Sequence, residues 1–210
     1  WPQAAALVVY ALGFSFAYVA LDAGFGALLL FGGVQVTMFA GAFVLRESLP
    51  TQRLTGGLIA FLGLVWLLWP NGASAPPLMP SVLMLTAAVA WGVYSLIGRG
   101  ATDPLGATAW AFVLATPVAL GVAATWPDPV SLYGWALAVI AGAVTSGLGY
   151  ALWYTVLPEL GASRAAVAQL SVPLIAVAVG VVLLGEAIAL RMGVSALLVI
   201  AGVSISLVKR

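Results

Sequence analysis

The chain has 210 residues, of which 64% are apolar or aromatic and 6% are charged, and its mean hydropathy is +1.18. Water-soluble domains carry about a quarter charged residues, so a soluble enzyme or nucleic-acid binder is excluded. Seven basic and six acidic side chains leave a net charge of +1, too little and too scattered for a polyanion-binding surface.

Without Cys or His, the chain has no thiol nucleophile, disulfide, imidazole base or usual zinc ligand set, and no cofactor is expected. A bilayer span takes about 20 mostly apolar residues, so a multi-span helical protein is the starting expectation. Charges and Pro/Gly clusters cut the chain into apolar runs at 4–21, 26–45, 54–69, 81–97, 106–125, 132–157, 163–185 and 192–208. Every charged residue lies between these runs or at their ends, as the cost of charge in hydrocarbon demands. Barrel strands would be about ten residues long and alternate in polarity, which these runs do not. The expected fold class is therefore all-α integral membrane with eight visible transmembrane helices. The stretch 70–80, PNGASAPPLMP, reads as an extended linker, because proline stiffens and exposes the chain. It separates a first part, 1–69, from a second, 81–210.

Alternating the runs places Arg46, Arg53, Arg99, Arg164, Lys209 and Arg210 on one side and Arg191 on the other. By the positive-inside rule the basic side, with the C-terminus, is cytoplasmic, and the expected location is the cell inner membrane.

An internal repeat adds a second constraint. Leu45-Arg46-Glu47 leading to Gly63 matches Leu184-Gly185-Glu186 leading to Gly202 without a gap. Upstream, Leu12-Gly13-Phe14, Tyr18 and Leu21 match Leu148-Gly149-Tyr150, Tyr154 and Leu157 at a similar offset. Runs one to three thus pair with runs six to eight. Equivalent runs are five apart, an odd number, so the copies cross the membrane in opposite directions. Inverted repeats of this kind are typical of secondary transporters. A five-helix unit is complete in 81–210, while 1–69 holds only its last three helices. Two further helices are expected before Trp1, giving ten.

The Arg/Gly-Glu turns at Arg46-Glu47 and Gly185-Glu186, each followed by a helix with an interior Gly, resemble the EamA-type drug/metabolite transporters. Ala90-Trp91-Gly92-Val93-Tyr94-Ser95 and Gln169-Leu170-Ser171-Val172-Pro173 carry the same resemblance, which extends from Tyr10 to Arg210. It implies ten helices in two inverted five-helix repeats, cytoplasmic termini and a central cavity. The chain departs from that pattern by lacking the first two helices.

No charge falls in the middle of a run, so a solute would meet polar uncharged and aromatic groups. Ser146, Tyr150, Trp153 and Tyr154 share one helical face, and their repeat counterparts are Tyr10, Phe14, Ala17 and Tyr18. Such faces hold amphipathic or cationic metabolites by apolar contact and cation–π attraction. Near helix ends, Trp153, Tyr154 and Tyr18 fit an interfacial aromatic belt equally well. Trp91, Tyr94 and Ser95 form a similar face on the fourth run, for solute contact or helix packing. Gln35 and Gln169 each need a partner helix or a wet cavity, because an unpaired amide in hydrocarbon costs several kcal/mol. Gln35 occupies the position equivalent to Pro173. Gly32 and Gly33 beside Gln35, and Ser171 and Pro173 beside Gln169, are expected to loosen both helices at matching depth. Pro117 is a further expected kink. Gly142, Ser146 and Gly149 read as sites of close helix approach.

The glycine pairs at Gly24-Phe25-Gly26 and Gly147-Leu148-Gly149 lack the strand, third glycine and acidic partner of a dinucleotide fingerprint. Asp22, Asp103 and Asp128 lie outside the runs, so no aspartyl protease pair exists, and an enzyme is not expected. The expectation is a secondary transporter of a small organic metabolite, an exporter or exchanger working by alternating access. Its partners are that solute and the lipid bilayer, with a homodimer left open. A non-transporting membrane scaffold is the alternative.

Overall fold

The structure is a computed structural model that describes residues 1–46, 51–69, 77–98, 101–125, 129–187 and 189–207; the side chains of Arg53, Tyr154, residues 157–171, Leu174 and Leu207 are not described. All described regular structure is helical: α1 (Pro2–Ala17), α2 (Ala23–Val44), α3 (Thr51–Leu68), α4 (Leu78–Gly98), α5 (Pro104–Thr125), α6 (Leu132–Val139), a π-helical segment (Ile140–Leu148), α7 (Gly149–Leu184) and α8 (Leu190–Leu207). In hydrocarbon every backbone N–H and C=O must be bonded within the segment, which selects helices for sequences this apolar. Four described stretches are long and apolar enough to cross a bilayer: Ala23–Val44, Leu78–Gly98, Pro104–Thr125 and Leu132–Trp153.

Local chemistry sets several helix starts. Asp103 Oδ1 accepts a 2.8 Å bond from Gly106 N–H ahead of α5, which begins with Pro104, a residue preset for the first helical position. Ser131 caps α6 by accepting from Gly134 N–H at 3.0 Å.

Small residues bring the helices together. A Cβ on Gly13 of α1 would lie 2.9 Å from the Leu83 carbonyl oxygen of α4, while Gly98 at the far end of α4 faces the Gln3 amide. These two helices therefore run antiparallel. Gly33 of α2 meets Ala88 and Thr37 meets Gly92, so α2 runs parallel to α4. Gly32 faces Leu64 and Gly57 faces Phe39, setting α3 antiparallel to α2. Leu28, Leu29, Leu67, Met84, Ala87 and Ala88 fill the core between them. Gly32 and Gly33 thus act as seats for α3 and α4, and α2 continues through both.

The α3–α8 contact has a reciprocal form. A Cβ on Gly56 would collide with the Gly202 carbonyl, and one on Gly202 with the Gly56 carbonyl; Gly63 lies against Ser195 and Val199. Ser195, fully buried, donates its hydroxyl to the Gly63 carbonyl at 3.0 Å. Contacts that pair 56 with 202 and 63 with 195 make these helices antiparallel. In the gapless repeat alignment Gly56 corresponds to Ser195 and Gly63 to Gly202, so exchanging the copies turns one contact into the other. Arg191, at the start of α8, donates to the Trp69 carbonyl beyond the end of α3 at 3.1 Å, a cation placed at the negative end of a helix.

Equivalent turns also share a conformation. Among the described residues, Arg46 (φ 54°) is the non-glycine with positive φ and Gly185 (φ 69°) the glycine. The left-handed region costs a side-chain-bearing residue about 1–2 kcal/mol, partly offset by the greater unfolded-state freedom of glycine. Arg46→Gly is expected to raise stability by about 0.5–1 kcal/mol and Gly185→Ala to lower it by about as much, read as opposite shifts in thermal unfolding in detergent.

One boundary differs from the sequence expectation. The sequence separates runs six and seven near residues 158–162, but α7 continues from Gly149 to Leu184 for 36 residues, about 54 Å of helix at 1.5 Å per residue. Glu159, Leu160, Ala162, Arg164, Ala165 and Ala166 favour helix, and Pro158 and Gly161 do not outweigh them. The second difference is the π segment of 9 residues, in which Ser146 Oγ donates to the Ala141 carbonyl five residues back at 2.9 Å.

Candidate functional site: an aromatic cluster across four helices

The aromatic faces read from the sequence converge on Trp91. Its ring lies 4.7 Å from Tyr10 of α1, 5.1 Å from Tyr94, nearly coplanar at 13°, and 5.9 Å from Tyr150 of α7. From Tyr10 the series continues to Phe14 at 5.5 Å and on to Tyr18 at 4.7 Å. From Tyr150 it reaches Phe112 of α5 at 6.0 Å. Such separations and tilts are the favourable range for aromatic pairs.

Each ring is placed by helical spacing. Tyr10, Phe14 and Tyr18 recur every four residues, and Trp91 and Tyr94 every three, so each set forms a stripe on its helix. Tyr94 is 3% exposed and Thr108 of α5 is likewise 3% exposed; their hydroxyls are 2.7 Å apart. This bond ties α5 to α4 beside the stacked rings. Tyr94→Phe removes this bond, and the expected loss is about 0.5–1.5 kcal/mol of stability, measured by thermal unfolding in detergent. Ser95 turns its hydroxyl back to the Trp91 carbonyl at 2.8 Å, so it supports the helix beside the cluster.

The other expected residues separate into groups. Tyr150 joins the cluster, whereas Ser146 is committed to the π segment. Gln35 is half-buried on α2, with no side-chain hydrogen bond among the described residues. Pro117 lies inside α5 on its exposed side, and Thr116 donates to the Phe112 carbonyl at 2.9 Å. Pro173 is buried within α7, which continues through it. The side chains of Tyr154, Gln169 and Ser171 lie outside the described residues.

Sequence reasoning missed Phe112 and Thr108. Their signal was the spacing of four between them on α5, but Trp110 between them is the more conspicuous aromatic, and it is 66% exposed. Chemically, the cluster offers ring faces whose negative quadrupoles attract organic cations and stack with flat apolar groups. Among the described residues no acidic cluster could hold a metal ion.

Comparison with known proteins places this arrangement. The chain is 48% identical over 212 residues to an uncharacterized protein of Pseudomonas aeruginosa, covering 100% of this chain and 74% of that one. It is 28% identical over 210 residues to an uncharacterized transporter of Archaeoglobus fulgidus, covering 96% and 74%. With an uncharacterized transporter of Bacillus subtilis it shares 24% identity over 190 residues, covering 85% of this chain and 62% of the relative. No solved structure matches. Residues 78–208, from the start of α4 to the end of α8, match the description of the EamA-like transporter family. With its apolar helices and a match over more than half its length, the chain belongs to the EamA-like transporter family.

Proposed function

We propose that the protein is a secondary transporter that carries a small organic solute past the aromatic cluster, by exchange between two inverted halves, 1–69 and 81–210. The observation that carries the solute site is the convergence of rings on Trp91 from both sides of the linker. Tyr10 comes from the first part, and Tyr94 and Tyr150 from the second. A contact shared by both halves senses their relative position, as a solute site in an alternating-access carrier must. The ring faces favour an organic cation or a flat apolar solute.

Two observations support an inverted relation of runs two and three to runs seven and eight. Arg46 and Gly185, equivalent in the repeat, share the left-handed turn conformation. The α3–α8 crossing exchanges its contacts when the copies are exchanged, as a two-fold relation requires. An axis relating antiparallel helices lies across them, and therefore in the membrane plane.

The test is flux in reconstituted liposomes with a panel of organic amines, amino acids and sugars. Flux of an aromatic or cationic solute is expected, and absence of flux for the whole panel favours the scaffold. Orientation in the cell inner membrane, with a cytoplasmic C-terminus, is tested separately in this cysteine-free chain. A membrane-impermeant thiol reagent added to intact cells is expected to label Asp128→Cys and spare Asp103→Cys; the reverse pattern inverts the topology.

A further inference from the structure

We propose that Glu186 is a positioning residue for transport, a latch that joins the turn after α7 to the start of α2 and closes one end of the solute route. The closing role rests on the transport reading above; the latch itself rests on the contacts. The Glu186 carboxylate accepts from the backbone N–H of Ala23 and, at 3.0 Å, from that of Gly24. These are the first two residues of α2, where unpaired N–H groups and the helix dipole favour an anion. The bond joins residues 162 positions apart and spans the linker, so it holds the first part of the chain to the second.

The seat is built for the carboxylate. A Cβ on Gly180 would overlap the Glu186 carboxylate, and one on Gly24 would lie 3.2 Å from Val177 and 3.4 Å from Glu186 Oε2. Gly180 also accepts the N–H of Glu186 at 3.0 Å, while the left-handed Gly185 turns the chain so that the side chain points back to α2. On the other side of Ala23, Tyr18 donates its hydroxyl to the Ala23 carbonyl at 3.3 Å. The end of α1, the start of α2 and the α7–α8 turn thus meet at one point.

Two backbone donors suit an ionised carboxylate, which offers two acceptor oxygens. Glutamine offers one acceptor and one donor, so it satisfies one N–H and opposes the other. A charge-assisted pair of bonds of this kind is strong enough to bias a two-state contact, yet few enough to break within a cycle.

The latch is read by thiol accessibility, using the absence of native cysteine. Val177→Cys reports on the α2–α7 contact beside the carboxylate, and Ser195→Cys reports on the buried α3–α8 crossing. In detergent with a hydrophilic maleimide, E186Q and G180A are each expected to raise the labelling rate at position 177 on the order of tenfold and to leave position 195 protected. G180A displaces the carboxylate without removing its charge, so agreement between the two variants assigns the effect to the seat. Unchanged labelling at 177 in both variants overturns the latch. An equal rise at 195 also overturns it, because Glu186 is then an ordinary helix cap whose loss loosens the whole protein. Labelling needs no solute, so a selective rise in a protein that moves nothing in the flux panel retains the latch and removes the transport reading. Flux with unchanged labelling does the opposite.

Discussion

Gly202→Leu is expected to abolish the α3–α8 pairing, and Gly202→Ala to destabilise the protein by about 2–3 kcal/mol, the upper part of the range for overpacking. A Cβ on Gly202 meets the Gly56 carbonyl and lies 2.6 Å from the Ala60 amide nitrogen. Those are backbone atoms of a helix, which cannot rotate aside as a side-chain terminus can. The helices must separate, and separation lengthens the 3.0 Å bond from Ser195 to the Gly63 carbonyl one crossing away. Gly63→Ala is expected to be milder, since its nearest neighbours, Leu198 Cβ at 3.0 Å, Val199 Cγ2 at 3.2 Å and the Ser195 carbonyl oxygen at 3.3 Å, stand farther off and need to give by only a few tenths of an ångström. Gly193, on the same helix, has nothing within 4 Å of its Cβ position. Gly193→Ala is therefore neutral or stabilising by up to about 1 kcal/mol through helix propensity. Thermal unfolding of the four variants in one detergent checks the order. A Gly202→Ala protein as stable as Gly193→Ala would show that the crossing has slack.

The contrast marks what a sequence of this kind reveals. Helices α1 to α5 and α8 fall within about two to four residues of the apolar runs, because the penalty for charge in hydrocarbon acts on each residue separately and needs no tertiary context. The role of a glycine does need context. Gly32, Gly33, Gly193 and Gly202 look alike in sequence, yet three of them are seats for Leu64, Ala88 and Gly56, and one faces open space. The continuity of α7 across residues 158–162 was hidden for a related reason. Pro158 and Gly161 are visible breakers, while the helix-forming residues around them contribute small increments that must be summed. The π segment leaves no period of its own in so uniform a run. Within the site, Trp91, Tyr94 and Tyr150 were legible as aromatics in mid-run at helical spacing. Phe112 was not, because only the approach of α5 to α7 gives its ring a partner. Glu186 was legible as a turn residue; its partners at Ala23 and Gly24 lie beyond the reach of any local rule.

Trp91→Ala is expected to lower flux, measured as kcat/KM, by about tenfold or more, since cation–π contact with a desolvated organic cation is worth about 2 kcal/mol. The indole is the junction of the cluster, 4.7 Å from Tyr10 and 5.9 Å from Tyr150, so truncation also opens a cavity between α1, α4 and α7. Stability falls together with transport in that variant, and loss of flux alone does not distinguish a contact from a brace. Trp91→Leu and Trp91→Phe separate the two roles. Leucine retains apolar bulk without a π face, while phenylalanine retains a smaller face. If the ring meets the solute, Trp91→Phe keeps most of the flux and Trp91→Leu raises KM for a cationic solute, at similar melting temperatures. A brace predicts that flux in both variants follows stability alone. Trp110→Ala supplies the reference for a tryptophan outside the cluster: its ring is 66% exposed, on a helix whose outer surface is apolar, and its removal is expected to leave flux unchanged. Equal losses at Trp110 and Trp91 would mean that neither indole touches the solute and that the aromatic convergence serves helix packing.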